Sequence, residues 1–253
     1  MRDWLGNPVH LQDPASLAAL NDFIDGFLRC EARAVNVLAL AESDRSAIAQ
    51  AYCAALHMFA ESRDGTVNAR PFIDAAVTAA PRASARERQF VAAIAAWVDG
   101  DLSGAVSLHQ ELARSHPRDL VSVKLGQYHL FNRGDAPGML RLALQALPAA
   151  TDVAQMHGMA AFGWEQCHLM VQAEAAGRTA LAMTPREPWA QHALAHGKPD
   201  VGVRTARTEA GGGHAQHLAG LGVKAPARAV ACAVHGIGHA GAVAAAQGLA
   251  YPP

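Results

Sequence analysis

Punctuation at a regular interval is what most constrains this chain. Pro81, Pro117, Pro148 and Pro185 stand 36, 31 and 37 residues apart. Each closes an amphipathic stretch: "FIDAAVTAAP", "AVSLHQELARSHP", "LRLALQALP" and "AEAAGRTALAMTP". Glycine turns recur between them, in "RDGT" at Gly65, "VDGDL" at Gly100 and "NRGDA" at Gly134, which are 35 and 34 residues apart. Proline cannot continue the hydrogen-bond ladder of a helix. Glycine reaches the backbone conformations that a tight helix–helix turn demands. The repeating unit is therefore helix, glycine turn, helix, proline.

Units of this length and form follow the tetratricopeptide pattern. The clearest copy is "RERQFVAAIAAWVDGDLSGAVSLHQELARSHP", Arg86 to Pro117. In it Ala105 is small where two helices would cross, and Val106, Leu108 and Leu112 supply the apolar stripe of the second helix. The last copy replaces its glycine turn with "EQCH", Glu165 to His168. The spacing predicts helix pairs at 47–62 with 68–80, 86–99 with 102–115, 119–132 with 136–147, and 151–165 with 169–183. One or two helices over about 15–41 precede them, opened by an Asp13 cap with Pro14 at the first helical position. A last helix begins near Glu187. Alanine dominates the apolar residues, which favours helices and lets them approach closely, and no Val/Ile/Thr-rich alternation suggests strands. The expected fold is all-α: a tetratricopeptide-like helical-hairpin solenoid over 1–196, followed by an atypical Gly/Ala-rich tail of low order over 197–253.

Charge narrows the partners. With 21 basic and 22 acidic residues, the chain has no electrostatic footprint for nucleic acid or an anionic membrane. No apolar run approaches the roughly 18 residues needed to cross a bilayer, and "MRDWLGNPVH" lacks the form of a secretory signal. Cys30, Cys53, Cys167 and Cys232 never form C-x-x-C, so they read as free thiols of a reducing, cytoplasmic protein.

Several stretches are similar to the tetratricopeptide repeat protein 38 family. The marks are Arg86-Glu87, Trp97 with Gly100-Asp101, Pro117 with Asp119, Gly134-Asp135, Gly158 to Gly163, Ala173-Glu174, and Trp189 with His192 and His196. "DWLGNPV" and "LNDFIDGFL" also look like the opening of that family, so the resemblance spans about residues 3–196. It departs at Trp164-Glu165-Gln166, where the family carries two acids, and at "PREPW", where it carries Pro-x-Asp-x-Trp. After His196 the helix and further hairpins of the family are missing. The resemblance implies a helical-repeat fold and brings no established reaction with it.

From Gly197 onward the composition changes. These last 57 residues hold 11 of the 22 glycines, Asp200 and Glu209 as the only acids, and Tyr251 as the only aromatic. Such an Ala, Gly, Arg, His and Pro mixture is what GC-rich DNA encodes out of frame, and the reading is a shifted frame near codon 197, with a genuine flexible tail as the alternative. The helix from Glu187 would then lack its covering partner, and the expectation is a homodimer, or aggregation, through that C-terminal end.

Functional residues are sparse. His192 and His196 lie four apart, on one helical face, but no Glu follows the first histidine and no third ligand is near in sequence, so no metal site is assigned. His157, Glu165 and His168 sit on the preceding repeat. "HGIGH", His235 to His239, has glycines that oppose a fixed helix. "NRGD" reads as a hairpin turn. No nucleophile elbow, P-loop or dinucleotide fingerprint occurs, and neither catalytic residues nor cofactors are assigned. The primary reading is a non-catalytic scaffold that grips a peptide or protein partner on a concave face lined by first helices, with Lys124, Tyr128 and Asn132 as contacts. The alternative is an enzyme, or a small-molecule or metal-binding protein, with its site at the junction of the third and fourth hairpins. His157, Glu165, His192 and His196 would be its polar groups.

Overall fold

The computed structural model describes residues 1–196. The tail over 197–253 and its expected low order, the frame-shift reading, "HGIGH" and Cys232 all fall outside the described residues. Within them the chain is all-α. An N-terminal arm leads through a 3-10 turn into α1 (Leu17–Arg29), and a second 3-10 stretch leads into the short α2 (Leu40–Ser43). Four antiparallel pairs follow: α3 (Ala47–Phe59) with α4 (Gly65–Ala79), α5 (Ala85–Val98) with α6 (Leu102–Ser115), α7 (Leu120–Asn132) with α8 (Ala136–Ala146), and α9 (Ala154–Gln166) with α10 (Met170–Met183). The last described helix, α11 (Pro188–His196), packs on both helices of the fourth pair. Each pair stacks on the next, and no described helix is long and apolar enough to cross a membrane.

The expected turns appear, with a division of labour. Gly100 and Gly134 have φ of +83° and +72°, the left-handed region that side chains disfavour. The aspartate after each caps the next helix: Asp101 accepts from Gly104 N, and Asp135 from Gly138 N, both at 2.8 Å. Gly134 thus belongs to a hairpin turn, as the reading of "NRGD" holds. Gly65 is a correction. It is not the turn residue of the first pair but the first residue of α4, and Glu61 takes the positive φ instead. Gly65 is small because the backbone of α3 passes close by; a Cβ there would lie 3.1 Å from the His57 carbonyl oxygen. In the fourth pair His168 adopts the left-handed conformation that glycine has elsewhere. Asp13 caps the first 3-10 turn, with Pro14 at its first position.

The core follows the small-residue pattern. Ala105 has no exposed surface, and Val106, Leu112 and Ala113 are buried while Leu108 is only half-buried. His109 completes the stripe, its Nδ1 2.8 Å from Ser122 Oγ. Cys53 is buried and its thiol is pushed up to about 12 by desolvation, whereas Cys30 and Cys167 are only half-buried.

The unexpected feature is where the N-terminus goes. Arg118 Nε donates to Leu5 O at 2.7 Å, and Asn7 Nδ2 donates to Arg118 O at 3.1 Å. Arg86 Nη2 donates to Pro8 O at 3.1 Å, and Glu87 accepts from His10 N at 2.8 Å. The arm is thereby laced across the starts of α5 and α7. Beneath it, Arg86 Nη1 donates to Asp119 Oδ2 at 2.7 Å, with both side chains at most 3% exposed. Asp119 Oδ1 also caps α7 by accepting from Ser122 N at 3.1 Å. Beyond the arm, α1 lies against first helices. Phe23 stacks on Tyr52 of α3 with ring centroids 4.4 Å apart, and Phe27 meets Phe59 edge-on at 4.9 Å.

Two substitutions test this architecture. Gly100→Val should cost at least about 1–2 kcal/mol, because no neighbour crowds the position and only the left-handed backbone resists a side chain. Asp119→Ala should cost about 3–5 kcal/mol, since it strands a buried guanidinium. Urea denaturation followed by circular dichroism measures both; a variant that melts with the wild type removes the corresponding claim.

Candidate functional site

The sequence-derived contact residues do not share one surface. Lys124 is not a groove contact. It is buried in the middle of α7, and its Nζ donates to the carbonyls of Phe27 and Leu28 at 2.6 and 3.1 Å. Those carbonyls belong to the last turn of α1, where the Phe27 oxygen also accepts from Cys30 N at 3.4 Å, and an ammonium suits the negative end of that helix. The same nitrogen lies 5.0 Å from the centre of the Phe27 ring and 5.5 Å from that of Trp189. Tyr128 is half-buried among Phe59, Trp97 and His129, and its hydroxyl donates to Glu61 Oε1 at 2.6 Å. Burial and the neighbouring Glu61 carboxylate raise its phenol above the usual range. Asn132, the last residue of α7, is exposed beside that hydroxyl. The three part because α1 covers α7 at Lys124, while Tyr128 turns toward Phe59, Trp97 and Glu61, and Asn132 faces solvent.

The second group behaves differently. Glu165 on α9 meets His192 and His196 on α11, because α11 stacks on α9 as the first helix of a further unit would. Glu165 Oε1 lies 3.3 Å from His196 Nδ1, and Oε2 lies 4.0 Å from His192 Nε2. One ligand atom from each of the three residues fits within a span of 4.8 Å. Gln166 Nε2 donates to Glu165 Oε2 at 2.7 Å and fixes the carboxylate. The Glu165 side chain is 7% exposed, that of His192 15% and that of His196 30%, so the cluster opens outward at His196. The His192 ring packs edge-on against Phe162 at 5.4 Å. Desolvation, followed by the nearby His196, lowers its pKa to about 4, so it is neutral and carries a lone pair near neutral pH. Two of the expected positions shift. The junction is between α9 and α11, not between the third and fourth hairpins. His157 does not join, because it sits eight residues before Glu165, about 12 Å along the helix, and its Nε2 donates to Thr151 O at 2.9 Å.

An aromatic row leads away from this cluster along the first helices. Phe131 of α7, Phe162 of α9 and Trp189 of α11 lie in sequence, with centroid separations of 5.6 and 4.6 Å. Phe131 is 38% exposed and Trp189 is half-buried. The stretch from Gly158 to Trp164 makes this approach possible. Gly163 lets α9 close on α8, where a Cβ would sit 3.1 Å from the Leu140 Cα, and Ala160 and Ala161 are fully buried.

One charged residue beside the row is buried in a way that its place in "PREPW" does not announce. Glu187 has no exposed surface, and its Oε2 accepts from Ala190 N at 2.6 Å as the cap of α11. Desolvation raises its pKa to about 7, against the lowering effects of that hydrogen bond and of Lys124. No protein-family model matches the chain, and no solved structure matches it.

The Glu187 pKa fixes the sign of a pH effect. The folded state holds this proton more tightly than the unfolded chain, from 4.5 up to about 7. Its contribution is therefore fully present below pH 4.5 and is lost as pH rises through about 7, a difference of about 3 kcal/mol from the pKa gap. Glu187→Gln should remove that loss and gain stability over the wild type above pH 7. Thermal melts at pH 5 and pH 8 measure it; an unchanged pH dependence in the variant refutes a protonated, buried carboxyl.

Proposed function

We propose that the chain is a helical-repeat binding protein of the tetratricopeptide type, allied to the tetratricopeptide repeat protein 38 family, and that it engages a partner helix or peptide along the first-helix face of α7, α9 and α11. The observation that carries this reading is the chain's own occupant. The first-helix face of α3 and α7 already holds an amphipathic helix, α1, through ring stacking by Phe23 and Phe27 and through a lysine on its terminal carbonyls. That face is chemically suited to a helix with aromatic anchors. Beyond α1 an aromatic row continues as the exposed Phe131 and the half-buried Trp189, with the buried Phe162 between them. The near-neutral charge fits a partner recognised by apolar anchors rather than by charge. The fold-level likeness adds a prior and nothing more. An enzymatic or small-molecule reading finds its support in the Glu165, His192 and His196 cluster alone.

A photo-crosslinking side chain distinguishes the two faces. Placed at Phe131, on the first-helix side, it should yield a discrete crosslinked protein on irradiation in cells. Placed at Val171 of α10, which is 79% exposed on the second-helix side, it should not. Equal labelling at both positions, or none at Phe131, would overturn the reading.

A further inference from the structure

We infer that Glu165, His192 and His196 form a binding site for a divalent transition-metal ion of the zinc type, with one coordination position left open to solvent or to an anionic ligand. Two neutral-capable imidazoles and a carboxylate are the donor set that zinc takes from proteins, and three protein ligands leave its tetrahedron incomplete. Calcium and magnesium prefer all-oxygen shells, so the two imidazoles select against them.

The separations decide between a metal site and an ion pair. A charge-assisted hydrogen bond between an imidazolium and a carboxylate closes to about 2.7–2.9 Å. The two nitrogen–oxygen distances here are 3.3 and 4.0 Å. Zinc bonds of about 2.0–2.1 Å place ligand atoms of a tetrahedron about 3.3–3.4 Å apart. Glu165 and His196 already stand at that separation, and the whole set lies within 4.8 Å. His192 Nε2 is the atom that must come nearer, from 4.0 Å to Glu165 Oε2. His10 and Glu87 give the internal contrast: there the nitrogen–oxygen distance is 2.7 Å, as direct pairing requires.

The support around the ligands is of the right kind. The Gln166 amide donates to Glu165 and restricts the carboxylate, as outer-shell partners of metal ligands do. Phe162 braces the His192 ring. The histidines are held at i, i+4 on one helix face, and the acid comes from a second, packed helix, so the site requires no loop rearrangement. His196 is the most exposed of the three, and the open position lies on its side.

This proposal is independent of partner binding along the aromatic row, and its test reads metal alone. The full-length chain, stripped with a chelator, is titrated with Zn²⁺ against a chromophoric competitor, with Mg²⁺ in excess. One tight zinc per chain is expected, undisturbed by Mg²⁺. Glu165→Gln, His192→Ala and His196→Ala should each weaken it at least about tenfold, and Gln166→Ala should weaken it by less than the loss of a ligand. His157→Ala and His168→Ala should bind like the wild type. His196→Ala is the decisive variant, because this side chain is the most exposed of the three and lies outside the hydrophobic core; circular dichroism confirms the fold of each variant. Absence of zinc binding, or wild-type affinity in folded His196→Ala or Glu165→Gln, places any zinc elsewhere on the chain and overturns the site.

Discussion

The arrangement rests on a buried guanidinium. Arg86 reaches from the start of α5 to Asp119 at the start of α7 through Nη1 and to the Pro8 carbonyl through Nη2. An arginine this deeply buried is tolerable only if a carboxylate and further acceptors replace the water it has lost. That requirement ties three distant pieces of chain to one point. Asp119 is simultaneously the cap of α7, so the ion pair and the helix start cannot be separated. Glu87, next in sequence, serves the arm in the same way through His10 while closing a capping box with Ser84. Neighbouring residues of opposite charge thus clamp the arm from one helical turn.

Once the arm is fixed, α1 is delivered onto the first-helix face, and this is where the present fold departs from a plain stack of hairpins. An ideal solenoid is quasi-one-dimensional, each unit touching only its neighbours. Here Lys124 of the third pair is bonded to the end of a helix that precedes the first. The lysine ammonium is a second and closer donor to the Phe27 carbonyl, which also accepts from Cys30 N at 3.4 Å, and it donates to the Leu28 carbonyl as well. Toward α11 the same lysine faces Trp189 and lies near Glu187, so the middle of α7 links the covered part of the face to the part beyond it.

The hairpin plan was readable because glycine and proline act locally. Gly100, Gly134 and the four prolines mark turns whatever surrounds them, and the boundaries they imply agree with the helices to within a few residues. The fourth turn, placed at Glu165–His168 without a glycine, is where His168 takes the left-handed conformation. Gly65 is the exception, because glycine also serves close helix approach, a tertiary cause with no local signature. The site was half legible. The i, i+4 spacing of His192 and His196 was plain, but their third partner lies on another helix 27 residues earlier, counted from Glu165 to His192. Lys124 was misplaced for a similar reason: its amphipathic position on α7 is real, but the sequence does not say that the face it points to is already filled by α1. Glu187, the departure from the family's aspartate slot, was noted as a mismatch without its burial being foreseen.

The arm also sets a timetable. Asn7 bonds to Arg118 across 111 residues of sequence, and Lys124 reaches Phe27 across 97. The hairpins themselves close over short stretches and can form as each leaves the ribosome. At a synthesis rate of about 5–20 residues per second, the arm and α1 wait on the order of ten seconds for their partners to be made. The rings of α1 wait less, since Tyr52 and Phe59 follow Phe23 and Phe27 by only 29 and 32 residues and can receive them within a few seconds. The end of α1 is the late piece: its last carbonyls stay without their lysine, and the arm without Arg118, until α7 has been made.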